Sequence, residues 1–340
     1  MAVAPHSPHD GRAHDDAPPR HAAAVAAAMK LTRGALTSAL GALAALKIPF
    51  NGPASASVAT AVAREQQQVA APMPTLVLGA GGGTGSECVN YLLARGLPCI
   101  ATTRSGALDV EPNPLLTVAT ADVASVDSLR AAITPKLGAV IFAASASAKG
   151  GDAKAIDEKG VVDAAKLCIE CGVKRYVVVS SGTVTRPDSA VYQLLNVVGK
   201  GIMEAKIKGE DEVRRLYSTE KDVGYTIVRP GGLTRDEALG VGAVELNQGD
   251  TKSGRIARAD VAAICVEAIG NADAFDTTFE CYWGDTAKEV ESVGLSNLLG
   301  VTGLKKTEAT QRQTGLERRG DTWAKLFKGL ARDVPGECKG

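Results

Sequence analysis

The sequence has no histidine after His21, because all four of its histidines lie in the first 21 residues. If that segment is removed from the mature protein, a Ser-His-Asp triad, a Cys-His pair and a His-ligated zinc site are all excluded. An excess of one charge is also lacking, since 38 basic and 38 acidic side chains give a formal net charge of zero. A neutral chain does not fit the basic surface of a nucleic-acid-binding protein, so nucleic acid is not an expected partner.

Long apolar runs and paired cysteines are scarce as well. No stretch has the roughly 20 uninterrupted apolar residues that would span a bilayer. The seven cysteines are an odd number scattered along the chain, which does not suit a disulfide scaffold. Cys168 and Cys171 form one isolated C-x-x-C at the end of a predicted helix, where core packing is favoured over redox regulation. Without a second such pair, no metal site is expected.

Residues 1–72 have the composition of a targeting leader. Alanine is abundant there, and no acidic residue occurs between Asp16 and Glu65. A charged start at Met29, an apolar run over 34–50 and small residues at 54–57 resemble a secretory signal, followed by an acid-poor segment like a transit sequence. The combination predicts plastid import through a signal plus a transit sequence. The alternative is a disordered extension of a cytoplasmic protein.

From Thr75 onward, short apolar runs alternate with amphipathic stretches. This pattern predicts an α/β, Rossmann-like, doubly wound parallel sheet of about seven strands in a single domain at 73–283, with a C-terminal extension over 284–340. A ligand is expected at the carboxyl ends of the first strands. The strands are predicted at 75–79, 98–103, 115–119, 139–144, 175–181, 224–229 and 275–282, and the helices at 84–95, 126–133, 153–171, 194–217 and 260–270.

A glycine-rich turn follows the first predicted strand. Gly79, Gly82 and Gly85 form G-x-x-G-x-x-G between the strand Thr-Leu-Val-Leu and an amphipathic helix. Residues without a Cβ let the backbone approach a pyrophosphate, and the helix start offers free N–H groups to its oxygens. The turn therefore predicts binding of a nicotinamide dinucleotide. Its candidate binding residues are Gly79, Ala80, Gly82, Gly83, Thr84 and Gly85.

The end of the second predicted strand indicates which dinucleotide is bound. An NAD-binding protein usually has an acidic residue there, which binds the ribose 2′-hydroxyl. This chain has Arg104 and Ser105 instead, and no acidic residue before Asp109. A guanidinium pairs well with a 2′-phosphate, so NADP is favoured over NAD. An ordinary surface arginine is the alternative.

Several further motifs follow in order. They are residues 79–85, Arg104, 121–123, 172–181, 206–210, 225–233 and 258–262. Together they resemble the atypical short-chain dehydrogenase/reductases, and more narrowly their NmrA-like, NAD(P)-binding branch, which includes plastid proteins of plants and algae. The resemblance covers about residues 74–283.

The resemblance implies further cofactor contacts. Asp122 and Val123 would flank the adenine, and Ala143, Ala144 and Ser145 would lie along the ribose. Lys206 would hydrogen-bond the nicotinamide ribose, and Pro230 and Gly231 would border the nicotinamide. The alternatives are a helix cap at Asp122, a strand-end turn at 143–145 and an exposed helix residue at Lys206.

The same resemblance implies a catalytic serine, tyrosine and lysine, with the tyrosine four residues before the lysine. Ser180 or Ser181 stands at the serine position and Lys206 at the lysine position, so Ser181 and Lys206 are the catalytic candidates. Ile202 stands where the tyrosine is expected, and it cannot transfer a proton. Two other tyrosines are weaker options: Tyr192 as a substitute, and Tyr217, four residues before Lys221 but too close to the next strand.

Two functions therefore remain open. One is an NADP-dependent oxidoreductase acting on an unidentified small substrate. The other is a non-catalytic, NADP(H)-responsive regulatory or scaffold protein.

The C-terminal extension contains one amphipathic pattern. Trp323, Leu326, Phe327 and Leu330 recur at helical spacing, which predicts a helix with one apolar face. Packing on the same domain is favoured. Docking to a protein or a membrane surface through 320–332 is the alternative.

Overall fold

The computed structural model describes residues 72–146, 151–290 and 316–334. The chain divides into two compact units, Met1–Ala70 and Ala71–Gly340, and the described residues all belong to the second. The leader predicted at 1–72 therefore lies outside the described residues, apart from residue 72.

Within the described ranges, a mainly parallel sheet of nine strands forms the centre of the second unit. The bounds of its strands are β1 Thr75–Leu78, β2 Cys99–Thr103, β3 Leu116–Thr120, β4 Ala139–Phe142, β5 Arg175–Val179, β6 Gly224–Pro230, β8 Val244–Asn247, β11 Thr277–Trp283 and β13 Arg318–Arg319.

The strand order is β13-β8-β11-β6-β5-β4-β1-β2-β3. The seven predicted strands are all present, and they run parallel to one another from β3 to β11. The sheet also contains two antiparallel strands that the sequence did not predict, because β8 pairs with β11 and β13 pairs with β8. The order reverses between β1 and β4, and a ligand crevice forms at such a switch point.

Short strands outside the main sheet form two small pairs. In one pair, β7 (Gly232–Thr234) runs parallel to β10 (Arg255–Ala257). In the other, β9 (Lys252–Ser253) runs antiparallel to β12 (Lys288–Glu289).

Helices cover both faces of the sheet. They are α1 Gly83–Ala94, α2 Val126–Ala132, α3 Val161–Glu170, α4 Ala190–Val198, α5 Ile202–Tyr217, α6 Arg258–Ile269 and α7 Trp323–Phe327. One apolar cluster contains side chains of α1, α6 and α7, and a second contains side chains of α2, α3 and α5. The doubly wound architecture expected from the alternating pattern is therefore confirmed.

Two of the predicted helices differ from expectation. The helix predicted at 153–171 begins as a π-helical stretch, Lys154–Gly160, and only then continues as α3. The helix predicted at 194–217 is broken into α4 and α5, because Lys200 and Gly201 both have positive φ, 50° and 88°. Left-handed backbone cannot continue a right-handed helix, and glycine adopts it at little cost.

The amphipathic pattern near the C-terminus packs on the domain itself. Leu326, Phe327 and Leu330 are buried in the same cluster as the side chains of α1 and α6. The ring centroids of Phe327 and Phe279 are 6.0 Å apart. Docking to another surface through 320–332 would require these side chains to leave the core. In the part of the chain that the structure describes, no helix is long and apolar enough to cross a membrane.

Candidate functional site

The glycine turn lies at the carboxyl end of β1, in the centre of the sheet. Gly79 has φ of +84°, and a Cβ there would be 2.7 Å from the backbone of Ala144, which follows β4. A Cβ on Gly85 would be only 2.2 Å from the Gly79 carbonyl oxygen. Glycine is thus required at both positions, at the first for backbone conformation and close approach, and at the second for close approach alone.

The middle of the turn is open to solvent. Gly82 and Gly83 are exposed, and the nearest atom to a Cβ on Gly82 would be the Gly79 carbonyl oxygen at 3.3 Å. Gly82 is the N-cap of α1, no side chain caps the helix, and its first turn has no acidic residue. The first N–H groups of α1 therefore lack intrahelical partners and carry the positive end of the helix dipole. This cradle fits the pyrophosphate of a dinucleotide.

Arg104 and Ser105 follow β2, whose carboxyl end adjoins the turn through a hydrogen bond from Ala80 N–H to the Thr102 carbonyl. Arg104 is exposed, and no described residue forms a hydrogen bond or ion pair with its guanidinium. Ser105 accepts a hydrogen bond from the backbone N–H of Ala107. A free guanidinium at this strand end fits a 2′-phosphate.

Asp122 and Val123 follow β3. Asp122 is exposed, and its carboxylate accepts a hydrogen bond from the Ala124 N–H, 3.0 Å away. Ser125, not Asp122, is the N-cap of α2, so the helix-cap alternative for Asp122 is wrong. Val123 is buried and packs in the core.

Ala143, Ala144 and Ser145 follow β4, and a buried carboxylate connects this segment to Lys206. Ser145 Oγ donates to Asp157 Oδ1 at 2.7 Å, and the Ala146 N–H donates to Asp157 Oδ2 at 2.8 Å. Lys206 Nζ lies 2.8 Å from Asp157 Oδ1, and the side chains of Lys206 and Asp157 are 10% and 1% exposed. Lys206 is therefore a largely buried partner of Asp157, and its alternative as an exposed helix residue is wrong.

Asp157 is not among the site residues predicted from the sequence. It lies in the π-helical stretch, where a Cβ on Gly209 of α5 would be 2.6 Å from its carbonyl oxygen. Wide helical turns of this kind are often found at functional sites. In the sequence, Asp157 could have been recognised as an acidic residue on the apolar face of a predicted amphipathic helix, next to Ile156 and one turn before Gly160.

The two serines after β5 have different surroundings. Ser180 is buried, and its Oγ donates to Glu210 Oε1 at 2.5 Å. Ser181 is half-buried, and among the described residues its Oγ donates only to the adjacent Gly182 carbonyl, at 3.0 Å. The hydroxyl of Ser181 is therefore the more accessible of the two.

Ser180 contacts a chain of buried ionisable side chains. Glu210 Oε2 lies 2.6 Å from both Arg229 and Arg214, and Arg229 Nη1 lies 3.2 Å from Glu280. Burial alone would raise the pKa of Glu210, but the charges of Arg229 and Arg214 outweigh it and lower the pKa to about 2. Burial, reinforced by the negative charge of Asp250, raises the pKa of Glu280 to about 8.

Asp250, at the far end of this chain of charges, fixes the loop that follows β5. Its carboxylate accepts hydrogen bonds from the N–H groups of Thr183 and Thr185, at 2.6 and 3.0 Å. Thr183 has φ of +64°, an uncommon conformation for a β-branched residue. The buried charges therefore determine the backbone directly after Ser181.

Pro230 ends β6 beside this loop, and its carbonyl accepts a hydrogen bond from Gly182 N–H at 2.8 Å. A Cβ on Gly231 would be 2.3 Å from the Gly254 carbonyl oxygen. The register therefore brings Ser181, Pro230 and Gly231 to neighbouring strand ends.

None of the three residues considered for the tyrosine role is an evident proton donor. Ile202 is half-buried and packs against apolar side chains. Tyr192 packs with Val184 and Met203, and burial raises its pKa. Tyr217 lies in the core, stacked on Tyr176 with ring centroids 6.4 Å apart, and burial raises its pKa well above the ordinary value.

The cysteines and the potential metal-binding side chains of the described residues add little to the site. Six cysteines lie among the described residues, all as free thiols, and burial raises the pKa of Cys168 well above its usual range. Within the same residues, no group of three or more His, Cys, Asp or Glu side chains is placed to hold a metal ion.

Comparison with known proteins agrees with this geometry. A family model described as NAD(P)H-binding matches residues 79–272. An uncharacterized chloroplastic protein of Arabidopsis thaliana is 31% identical over 212 residues, which cover 57% of this chain and 70% of that protein. Sanguinarine reductase of Eschscholzia californica is 39% identical over 119 residues, 34% of this chain and 39% of the reductase.

The fold also has a counterpart among solved structures. An oxidoreductase from Lactococcus lactis superposes with a TM-score of 0.53 at 21% identity, covering 67% of this chain and 97% of that one. At this level of identity the likeness concerns the fold alone.

Proposed function

This chain belongs to the NAD(P)H-binding family, and from that premise we propose that it is an NADP(H)-dependent oxidoreductase acting on a small substrate. One observation carries the proposal. The glycine turn, the strand end at Ala144 and Ser145, and the largely buried Lys206 form one continuous surface, because Gly79 contacts Ala144 and Asp157 joins Ser145 to Lys206.

Each part of this surface has a proposed task. The open N-terminus of α1 binds the pyrophosphate, and Arg104 with Ser105 binds the 2′-phosphate of NADP. Asp122 and Val123 border the adenine. Lys206, oriented by Asp157, donates to the nicotinamide ribose, and Pro230 and Gly231 border the nicotinamide.

The chemistry divides between the cofactor and the chain. When bound, the reduced dinucleotide supplies a hydride. The chain must orient the substrate and supply a proton. With Ile202 at the tyrosine position, the proton sources left at the site are the Lys206 ammonium, the hydroxyl of Ser181 and water.

The substrate class follows from the same shortage of acids. A planar, conjugated electrophile that already carries positive charge needs little help from an acid, because hydride addition neutralises it. Sanguinarine reductase, a relative of this chain, is named as a reductase of sanguinarine. We therefore include iminium compounds among the candidate substrates, beside carbonyls and quinones.

We further propose that the protein acts in the plastid after removal of residues 1–72. The acid-poor, alanine-rich composition of this segment supports the proposal, as does the chloroplastic relative. Residues 73–283 would then form the cofactor-binding domain, with 284–340 as its extension.

Ile202 also favours a second function, because a family member without the usual proton donor can bind the cofactor without turnover. Such a protein would be an NADP(H)-responsive regulator or scaffold. Its Tyr192 would remain a packing residue, as its contacts with Val184 and Met203 suggest.

Stopped-flow measurement of NADPH oxidation against panels of carbonyls, quinones and iminium compounds separates the two functions. We expect consumption with at least one class, and its loss in Lys206→Met. Micromolar binding of NADPH without consumption across all three panels would overturn the oxidoreductase and leave the regulator.

A further inference from the structure

Arg258, the first residue of α6, lies directly against the glycine turn. A Cβ on Gly83 would be 2.8 Å from Arg258 Cδ and 2.9 Å from its Nε. The arginine stem therefore occupies the side of Gly83, and the guanidinium lies beside the open first turn of α1. The family resemblance, which includes residues 258–262, implies no role for Arg258.

The same guanidinium holds one end of a surface segment. Arg258 Nη1 donates to the Thr234 carbonyl at 2.9 Å. Thr234 is the last residue of β7, and residues 235–239 after it are all exposed. We call residues 234–240 the strap.

Asp260, two residues further along α6, holds the other end of the strap. Its carboxylate accepts hydrogen bonds from the N–H groups of Leu239 and Gly240, both at 2.9 Å. It also accepts a hydrogen bond from Trp283 Nε1 at 2.8 Å, and it is 1% exposed. Asp260 is thus a rigid anchor, whereas Arg258 is half-buried and borders open space.

That open space is a cavity of about 440 Å³ between the glycine turn and the strap. Gly83, Ser86 and Glu87 of α1 line one side, and Thr234, Arg235 and Asp236 of the strap line the other. Arg258 lies between the two sides. Two cations and two anions therefore face the cavity, and the cation closest to the open helix end is Arg258.

The guanidinium has unused donors. An arginine offers five N–H groups, and within the described chain only the Thr234 carbonyl accepts from Arg258. A phosphate presents several acceptor oxygens and pairs with this fork geometry more strongly than a neutral acceptor does. The free donors thus match an anion bound at the first turn of α1.

We propose that Arg258 is a cofactor-sensing clamp, donating to the pyrophosphate bound over Gly83 while it holds the Thr234 carbonyl, so that cofactor binding fixes the strap. The inference rests on the proposed function, because it requires the dinucleotide in the glycine turn. With the cofactor bound, Arg258 then holds the strap more firmly, and the strap closes one side of the site against water.

Isothermal titration with two probes tests the contact. NADPH has the pyrophosphate, whereas adenosine 2′-monophosphate lacks it but keeps the 2′-phosphate. We expect Arg258→Met to weaken NADPH binding by about 10- to 100-fold and to leave adenosine 2′-monophosphate binding unchanged. Arg258→Lys keeps the positive charge but not the forked guanidinium, so its NADPH affinity should lie between those of the wild type and Arg258→Met. The matched control Arg255→Met changes an exposed arginine three residues earlier and should bind both probes normally.

Hydrogen exchange tests the link to the strap. In the wild type, NADPH should slow amide exchange over residues 235–240; in Arg258→Met, saturating NADPH should not. Normal adenosine 2′-monophosphate binding by the variant excludes misfolding as the cause. NADPH affinity in Arg258→Met equal to that of the wild type, or equal protection of its strap, would overturn the clamp. If the wild type binds neither NADPH nor NADH, the proposed function fails, and the clamp fails with it.

Discussion

Lys206 and Asp157 form an ion pair of 2.8 Å with almost no exposure to solvent, and Asp157 accepts a second hydrogen bond from Ser145. The pair joins α5 to the π-helical stretch, and Ser145 links Asp157 to the strand end after β4, so Asp157 orients the lysine towards the proposed cofactor surface. A buried pair of this kind costs stability when one partner is removed, because the other charge is left without compensation.

Asp157→Ala is expected to lower the free energy of unfolding by about 3 kcal/mol, since Lys206 and Ser145 both lose their partner. Urea unfolding of Asp157→Ala, of Lys206→Met and of the double variant Asp157→Ala/Lys206→Met completes a double-mutant cycle. We expect the double variant to be destabilised by less than the sum of the singles. Glu204→Ala, which breaks an exposed pair with Lys208 on the same helix, should cost no more than about 0.5 kcal/mol. Additive effects of Asp157→Ala and Lys206→Met would contradict the coupling.

Arg104→Ala is expected to weaken NADP binding by about 10- to 100-fold and NAD binding much less, because only NADP carries the phosphate that the guanidinium would pair with. Fluorescence titration of both cofactors gives the ratio. Arg130→Ala, an exposed arginine on α2, is the control and should leave both affinities unchanged. An unaltered NADP/NAD ratio in Arg104→Ala would show that the 2′-phosphate assignment is wrong.

Gly82 and Gly85 should respond differently to substitution. Gly82 is exposed and has ordinary extended backbone (φ −86°), so Gly82→Val should change Tm little. It should abolish cofactor binding, because a side chain there would keep the pyrophosphate from approaching the backbone. Gly85→Ala should lower stability by about 1–3 kcal/mol as well, because its Cβ would overlap the Gly79 carbonyl oxygen. Calorimetry and NADPH titration of both variants measure the two effects. Normal NADPH binding by Gly82→Val would contradict the assignment of the turn.

Glu280 should make stability depend on pH. Its folded-state pKa of about 8 lies above the ordinary 4.5, so the folded protein binds this proton more tightly than the unfolded chain. The resulting stabilisation is present below pH 4.5 and is lost as pH rises to about 8. Glu210 titrates below this window, since its pKa is lowered to about 2.

Glu280→Gln removes the titrating group, so the difference between its urea midpoint and that of the wild type should increase in favour of the variant from about pH 5 to pH 8 and level off above that. The exposed Glu204→Gln serves as the control and should follow the wild type at every pH. A constant difference between Glu280→Gln and the wild type over this range would mean that Glu280 does not titrate there.

Phe327→Ala should lower the free energy of unfolding by about 3–5 kcal/mol, because the ring is fully buried against Phe279. The exposed Val334→Ala should change it by less than about 0.5 kcal/mol. Urea unfolding of the two variants makes the comparison. A Phe327→Ala protein as stable as Val334→Ala would show that the 320–332 segment is not part of the core.

The sequence could predict those parts of the fold and site that depend on local pattern. The seven parallel strands have apolar runs such as Ala-Val-Ile-Phe of β4, and the glycine turn and Arg104 directly follow two of these strands. The break between α4 and α5 was also present in the sequence, as Gly199-Lys200-Gly201, but the apolar periodicity on both sides obscured it.

The remaining parts depend on contacts between distant segments. β13 consists of Arg318 and Arg319 alone, which carry no strand pattern, and its pairing with β8 is supported by the ion pair between Arg319 and Glu245. Asp157 gains its role only when α5 brings Lys206 beside it. The contact of Arg258 with Gly83 likewise depends on how α6 packs on α1, so the spacing of motifs along the sequence does not predict it.

Leu326 and Phe327 share one apolar cluster with Val89 and Leu92 of α1, although the two segments stand at opposite ends of the described sequence. Contacts across so long a stretch of chain form late, because a large loop must close first. During synthesis the glycine turn emerges early, yet the core behind it stays partly open until residue 330 has left the ribosome. The nascent chain therefore exposes part of this apolar cluster until residue 330 has emerged.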